Sequence, residues 1–450
     1  MTLRVGAGKA CISPTEECFP FPTFGNADPR SALHDDIFTR AVVIDNGETR
    51  AAIVNFDMVS IPMYDTTKKL IAEAGGIPED NVFMTATHNH DAPFAGSPVQ
   101  GADAKQEDDL TRRIGIFTQI VLDGVKKAVE EAVSALRSAK YGFGTGESWI
   151  NVNRDFQFED GYWMQGPNFK AYADKTLAVL KFVDEEDKLI AAVLNYGCHA
   201  VLGFVAKDVD GKIKVSSDWP GYAQNYVEQR FGNGAVCVWT PAAEGNLNPV
   251  YGAGLYTFLK DGYAVSKQLP PGTAFVLMEA LGGQHAIDAI KVINETCADK
   301  DTMEIKYART EIDLPSQKAP EGADMMRNRM LVDNLLPLGP NGERPEKKLV
   351  VMEDDPEHPF KMEIKILQLG DTAWVGVPCE IYSEIGRDMK AASPCPNTVV
   401  VTHTNTHYRS YIPDKSAADH HTFQSYGAAK PGACDEYIVQ GMVDLFKELK

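Results

Sequence analysis

The sequence predicts an α/β protein, a multilayer fold of buried mixed β-sheets flanked by helices. Two observations point there. Runs rich in β-branched residues alternate along the whole chain with stretches of helical apolar spacing, which implies at least one sheet covered on both faces. With 44% hydrophobic and 24% charged residues the composition is that of an ordinary globular protein, with no low-complexity tract, internal repeat or linker to divide it. One domain over residues 1–450 is therefore expected.

Taken in order, the strand-like runs are Ala41–Asp45, Ala51–Phe56, Asn81–Ala86, Leu177–Phe182, Ile190–Tyr196, Ala235–Thr240, Met362–Leu369, Thr372–Val377 and Asn397–Thr404. Helical spacing marks Tyr64–Ala74, Leu110–Leu136, Ala223–Arg230, Ala280–Glu295, Ile381–Ala391 and Glu436–Leu449. Leu110–Leu136 has one apolar face and mixed charges, the pattern of a helix packed on a core rather than on a membrane surface. The segment 315–348 is rich in Pro, Lys, Glu and Arg and reads as a surface excursion with a short helix near Met325–Asp333.

Charge narrows the partners. A formal net charge of -19 disfavours nucleic acid and anionic membrane, both of which need a basic footprint. The eight cysteines form no Cys-x-x-Cys pair, and Cys198, Cys237 and Cys379 lie in apolar runs, so buried free thiols are expected. Neither an export signal nor an apolar run long enough to span a bilayer is recognised, and the expectation is a cytoplasmic protein with a small-molecule substrate and no membrane insertion. Whether it forms a homo-oligomer is left open.

Chemistry is foreshadowed at strand ends. His88 and His90 sit two apart after Asn81–Ala86, so that on an extended chain both point to one face. Both can hold one metal, or one can bind metal while the other moves a proton. His199 ends a second apolar strand and Glu380 stands where a third passes into a helix; ligands gather at such carboxyl ends. Glu380 can equally be a first-turn acid favouring the helix dipole, and His199 a satisfied core histidine. The stretch His403–Tyr426 is dense in Tyr, His and Arg. Asp218 precedes a helix it can cap, and Thr240–Pro249 reads as a turn whose Gly and Asn residues can present amide donors.

The order of these motifs resembles the N-terminal catalytic domain of the neutral (alkaline, non-lysosomal) ceramidase family. The resemblance is carried by Val5-Gly-Ala-Gly-Lys-Ala-Cys-Ile-Ser-Pro14, Leu33-His-Asp-Asp-Ile-Phe-Thr-Arg40, Val54-Asn-Phe-Asp57 and Thr87-His-Asn-His-Asp-Ala-Pro93. It continues through Cys198-His199, Ser217-Asp-Trp-Pro-Gly-Tyr222, Gly245-Asn-Leu-Asn-Pro249, Val377-Pro-Cys-Glu380 and Arg409-Ser-Tyr411-Ile-Pro413. It implies one Zn2+ per chain held by His88, His199, Glu380 and Tyr411, with His90 outside the shell as proton carrier. Asp57 is the candidate for orienting an imidazole. Tyr426 is the nearest match to a family tyrosine that contacts substrate, and Arg40, Asn153, Arg154, Asp218, Asn246, Asn248 and Arg409 are polar candidates for substrate binding.

Three departures stand out. The family's serine, in a Gly-Asp-x-Ser-Pro-like stretch, is replaced by Asn248, which excludes a serine mechanism. The histidine motif reads His-Asn-His-Asp in place of His-Thr-His-Ser. The family's C-terminal immunoglobulin-like domain is not recognised. The resulting expectation is a zinc-dependent hydrolase acting on an amide, lactone or ester bond of a small polar substrate. A metal-dependent isomerase or lyase on a sugar-like metabolite, and a catalytically silent metabolite-binding relative, are the alternatives.

Overall fold

The computed structural model describes residues 2–23, 28–96, 104–157, 161–251, 257–258, 264–265, 270–332, 348–404 and 410–450. Three four-stranded arrangements repeat one topology. The first runs Arg4–Cys11, Phe38–Asp45, Arg50–Phe56, helix α1 (Tyr64–Gly75), Val82–Ala86, with Arg137–Ser138 added at its edge. The second runs Lys140–Glu147, Thr176–Val183, Leu189–Tyr196, then Val236–Pro241. The third runs Ile305–Leu314, Phe360–Leu369, Thr372–Gly376, then Asn397–Val401. In each, the first three strands meander antiparallel and the fourth pairs parallel with the third.

A crossover helix is what a parallel pair requires. It is α1 in the first unit. After α2 (Ala104–Ser134) comes α3 (Asp218–Phe231), which serves the second unit. After α4 (Thr273–Glu295) and the short α5 (Met325–Val332) comes α6 (Ser383–Ala392), which serves the third; α7 (Asp435–Leu445) follows. The short helix expected near residues 325–333 is thus present, and α3 and α4 begin several residues earlier than their apolar spacing marks.

Strand periodicity explains the layering. Ala41 and Val43 face a core shared with α1 and α2, whereas Val42 and Ile44 face the opposite way. Leu180 and Phe182 of the second sheet and Leu367 and Leu369 of the third join Val42 and Ile44 in one central core. The outer faces of the second and third sheets pack on α3 with α4 and on α6 with α7. All three sheets are therefore buried on both faces, and helices form the outer layer. In α2, Phe117, Val121, Val125, Ala128 and Ala132 recur at helical spacing on the buried side. Cys198, Cys237 and Cys379 are buried free thiols.

Among the described residues, no helix is long and apolar enough to cross a membrane.

Candidate metal centre

Each parallel pair delivers two strand carboxyl ends. Asp57 and His88 follow the pair of the first unit, His199 and Glu244 that of the second, and Glu380 and His403 that of the third. Five of these six side chains meet.

His88 stands two residues beyond its strand with φ of 57°. Its Nδ1 donates to the Val59 carbonyl oxygen at 3.0 Å, which turns Nε2 toward Glu380 and His90. His199, 1% exposed, donates from Nδ1 to the Leu247 carbonyl oxygen, also at 3.0 Å. Its Nε2 lies 2.9 Å from Glu380 Oε2, and His88 Nε2 lies 3.6 Å from the same oxygen. Burial, and then the Arg154 charge, hold His199 well below the usual imidazole range. Two imidazole nitrogens and a carboxylate oxygen therefore face one another. Such a set repels itself unless a cation lies between its members, and two neutral imidazoles with a carboxylate are a common donor set for zinc.

Tyr411 is placed by strand register. Glu380–Ile381 pairs in parallel with Tyr411–Ile412, and Glu380 and Tyr411 are direct partners. The phenol shares hydrogen bonds with Glu380 and Arg154. Burial and the Glu380 charge push it above its ordinary value, against the pull of Arg154. Arg154, 3% exposed, donates to the Gly245 carbonyl oxygen from Nε (3.2 Å) and Nη2 (2.6 Å) and to Asn248 Oδ1 from Nη1 (3.1 Å). Gly245 is required there: a Cβ would stand 2.4 Å from the Glu380 carbonyl oxygen. The chemistry of these four donors fits the zinc that the motifs imply.

His90 lies beside this set, its Nε2 3.0 Å from His88 Nε2. Its backbone is clamped, the amide donating to the Ala200 carbonyl oxygen (3.0 Å) and its carbonyl accepting from Arg30 Nη2 (2.5 Å). Two neighbours went unassigned from sequence. His403 stacks on His88 (centroids 3.8 Å apart, planes at 15°), and its Nε2 lies 3.0 Å from Oε1 of fully buried Glu244. Burial, then the Glu380 charge, push the Glu244 carboxyl well above its ordinary value. His88, Glu380 and His403 present potential ligand atoms within 4.8 Å of one another, so His403 competes geometrically with His199. The signal that could have found Glu244 and His403 is their position just past a parallel strand, the same position that singled out His88.

Several expected residues lie elsewhere. Asp57 is held by other partners than an imidazole. Its Oδ2 accepts from Arg40 Nη1 (2.8 Å) and the Phe38 amide (3.0 Å), and its Oδ1 from Gln224 Nε2 (3.0 Å). The imidazoles are oriented by backbone carbonyls instead. The Arg40 guanidinium is enclosed by Asp57, Glu228 and Asn225, because a buried charge needs counter-charges, and it is not among the residues that line the cavity over His199. Asp218 is fully buried and accepts the Leu202 (2.7 Å) and Trp219 (2.5 Å) amides, bracing the loop after His199. Asn246 is tied to Glu384 (2.7 Å) on the far side of its strand. Tyr426 does not line the cavity below; Phe423, on the same short helix, does. Arg409 lies outside the described residues.

A cavity of about 360 Å3 opens over His90, His199 and Tyr411. Its polar side carries Arg154, Asn248 and Arg329, and its apolar side Val152, Val201, Leu202 and Phe204. The sequence leads one to expect a polar pocket; this one is mixed.

The fold and this strand-end site define an α/β protein built to gather a metal-type donor set, and comparison with known proteins gives its relations. The sequence profile of the neutral/alkaline non-lysosomal ceramidases, N-terminal region, matches residues 4–250. The chain belongs to that family. It is 26% identical over 260 residues to the neutral ceramidase of Pseudomonas aeruginosa, covering 55% of this chain and 37% of that one. With the Drosophila melanogaster neutral ceramidase it shares 26% over 242 residues, 51% of this chain and 32% of that. The matches thus span about a third of the length of these relatives. The crystal structure of the Pseudomonas aeruginosa neutral ceramidase superposes over 100% of this chain and 75% of its own with a TM-score of 0.67 at 20% identity. A ceramidase complexed with C2 gives 0.67 at 18%, over 100% and 76%. These two likenesses concern the fold.

Proposed function

We propose that this chain is a zinc-dependent hydrolase that cleaves an amide, lactone or ester bond in a compact substrate. The convergence of the His88 and His199 Nε2 atoms on one Glu380 oxygen carries the reading. His88, His199, Glu380 and Tyr411 would hold the ion, which when bound supplies Lewis acidity toward water and a substrate carbonyl. His90 takes a proton from the attacking water and returns it to the leaving nitrogen or oxygen. Its clamped backbone holds the ring at the cavity edge for both transfers. Arg154, fixed by Gly245 and Asn248, places a positive charge beside Tyr411 where negative charge develops on the substrate oxygen. Val201, Leu202 and Phe204 keep water off one side of the substrate and suit an apolar substituent, while Asn248 and Arg329 suit a polar one. The family serine has no counterpart at Asn248, whose side chain positions Arg154 instead.

Since the relatives are named as ceramidases, N-acyl amides including ceramide belong on the substrate panel beside polar lactones and esters. The protein is expected to purify with about one zinc per chain. His88→Ala and His199→Ala should lose zinc and hydrolysis together, and His403→Ala should keep the metal because its Nε2 is committed to Glu244. Product formed in heavy-oxygen water should carry solvent oxygen. A protein that neither binds zinc nor gains hydrolysis on its addition, or a product free of solvent oxygen, defeats the reading.

A further inference from the structure

The cavity over the candidate metal centre carries a sign opposite to that of the chain. The protein has 63 acidic against 44 basic side chains, a formal net charge of -19. Among the described residues that line this cavity, the charged side chains are Arg154 and Arg329, and no aspartate or glutamate is present. Glu380 belongs to the metal centre and is turned to His199 and His88. Positive walls in an acidic protein draw anions in and keep cations out.

The two arginines differ in their setting. Arg154 is buried, and its donors go to Gly245, Asn248 and Tyr411, so it is a fixed charge in the wall. Arg329, in α5, is exposed, and its guanidinium lies 3.9 Å over the Phe423 ring. The same ring meets Tyr411 edge-on, with centroids 5.2 Å apart, and its centroid lies 5.3 Å from the Arg154 guanidinium. Phe423 therefore spaces Arg329 one aromatic ring from a donor of the metal centre. Stacking restricts the planes a guanidinium adopts, and a guanidinium edge takes a carboxylate through two parallel hydrogen bonds. Val201, Leu202 and Phe204 supply an apolar stretch of the same wall.

We propose that this cavity takes a carboxylate with an apolar arm, as substrate an N-acyl amino acid, and that Arg329 is the residue that selects it. The substrate part of this proposal rests on the hydrolase reading above. The carboxylate pairs with Arg329, the scissile carbonyl reaches the metal centre past Phe423, and the acyl chain lies along Val201, Leu202 and Phe204. The short spacing suits a carboxylate a few atoms from the bond that breaks, as in an α-amino acid. Water adds across the C–N bond: the carbonyl carbon gains the oxygen and leaves as a carboxylic acid, and the nitrogen gains a proton and leaves as the amino acid. A neutral amide fits less well because it offers Arg329 no charge, and an ammonium would be repelled by both arginines.

The test is calorimetric titration of the full chain, supplied with zinc, with three uncleavable ketones. 4-Oxononanoate mimics N-hexanoylglycine, 4-oxononanamide is its neutral counterpart, and 4-oxopentanoate lacks the arm. The nonanoate should bind at least about tenfold tighter than either, as one charge-assisted hydrogen-bonded pair or a few buried methylenes predict. Arg329→Gln, its folding checked by circular dichroism, should abolish the preference for acid over amide, and Arg329→Lys should keep part of it. A carboxylate that merely ligated the metal would keep its preference in Arg329→Gln. N-hexanoylglycine and N-hexanoylglycinamide are then offered as substrates. Acid preference in binding with neither amide cleaved supports the anion site and defeats the hydrolase reading; cleavage of both at equal kcat/KM, by wild type and Arg329→Gln alike, does the reverse. Absence of 4-oxononanoate binding, equal binding of its amide or of 4-oxopentanoate, or a preference that survives Arg329→Gln overturns the proposal.

Discussion

At the scale of single residues, burial with or without a counter-charge separates the side chains that hold the fold from those that burden it. Arg40 and Asp57 are both fully buried and answer each other at 2.8 Å, so each charge is satisfied within the fold. Glu384 has only neutral donors, and burial followed by the Asp414 charge pushes it up to about 7. The sign follows from linkage. Below the ordinary carboxyl value both folded and unfolded chains hold the proton and nothing is lost. As pH rises from about 4.5 through 7 the unfolded chain ionises first, so stability falls, and the full loss is present above 7. Glu384→Gln should therefore stabilise the protein at pH 8 by on the order of 2–3 kcal/mol and do little at pH 4, read from urea unfolding at the two values. An equal effect at both would show that Glu384 is not the titrating group. Side chains at strand ends were legible in the sequence. Their partners were not: Asp57 looked like an imidazole orienter because it lies near His88 in the motif order, yet the adjacent strand brings Arg40 to it first.

At the scale of elements, glycine marks where helix meets sheet. Gly6 and Gly8 share one face of the first strand, and a Cβ on either would stand 2.0–2.1 Å from the Ala132 or Ala128 carbonyl oxygen of α2. The first strand of the second unit repeats the device: a Cβ at Gly142 would meet the Cys297 carbonyl oxygen at 1.8 Å, just beyond α4. In the third unit the glycine moves to the helix, where Gly441 of α7 packs on Ile312. Gly8→Ala should push α2 off the sheet and cost about 2–4 kcal/mol, measured by denaturant unfolding. A loss under about 0.5 kcal/mol would mean that the helix shifts freely. These glycines also explain which strands the sequence concealed. Arg4–Cys11 and Lys140–Glu147 lack a β-branched run because close packing of a helix demands small residues there. The strands of the parallel pairs, buried on both faces, were legible throughout.

At the scale of the whole molecule, three units with separate outer cores meet in one inner core, and each contributes side chains to the strand-end cluster. The repetition is invisible in the sequence because it is one of topology. Loops of unequal length separate the strands, and different residues fill equivalent places. A metal tying His88, His199 and Glu380 would link all three units. Ligand binding to the folded state alone adds RT ln(1 + [L]/Kd), about 2.7 kcal/mol at a hundredfold excess over Kd. Stripping zinc with a chelator should accordingly lower the melting temperature by roughly 2–5 °C, and restored zinc should recover it. An unchanged melting temperature after proven metal loss would place the ion away from the junction of the units.

The position of that junction bears on how such proteins are sorted. The family profile stops at residue 250, before the third unit starts at Ile305. Glu380, His403 and Tyr411 all come from the unsampled part. Kinship is therefore decided by two thirds of the architecture and reactivity by the remaining third as well. A homologue that altered only that last portion would keep its family label while losing half of the candidate ligands, so classification and chemical competence can part company in this lineage.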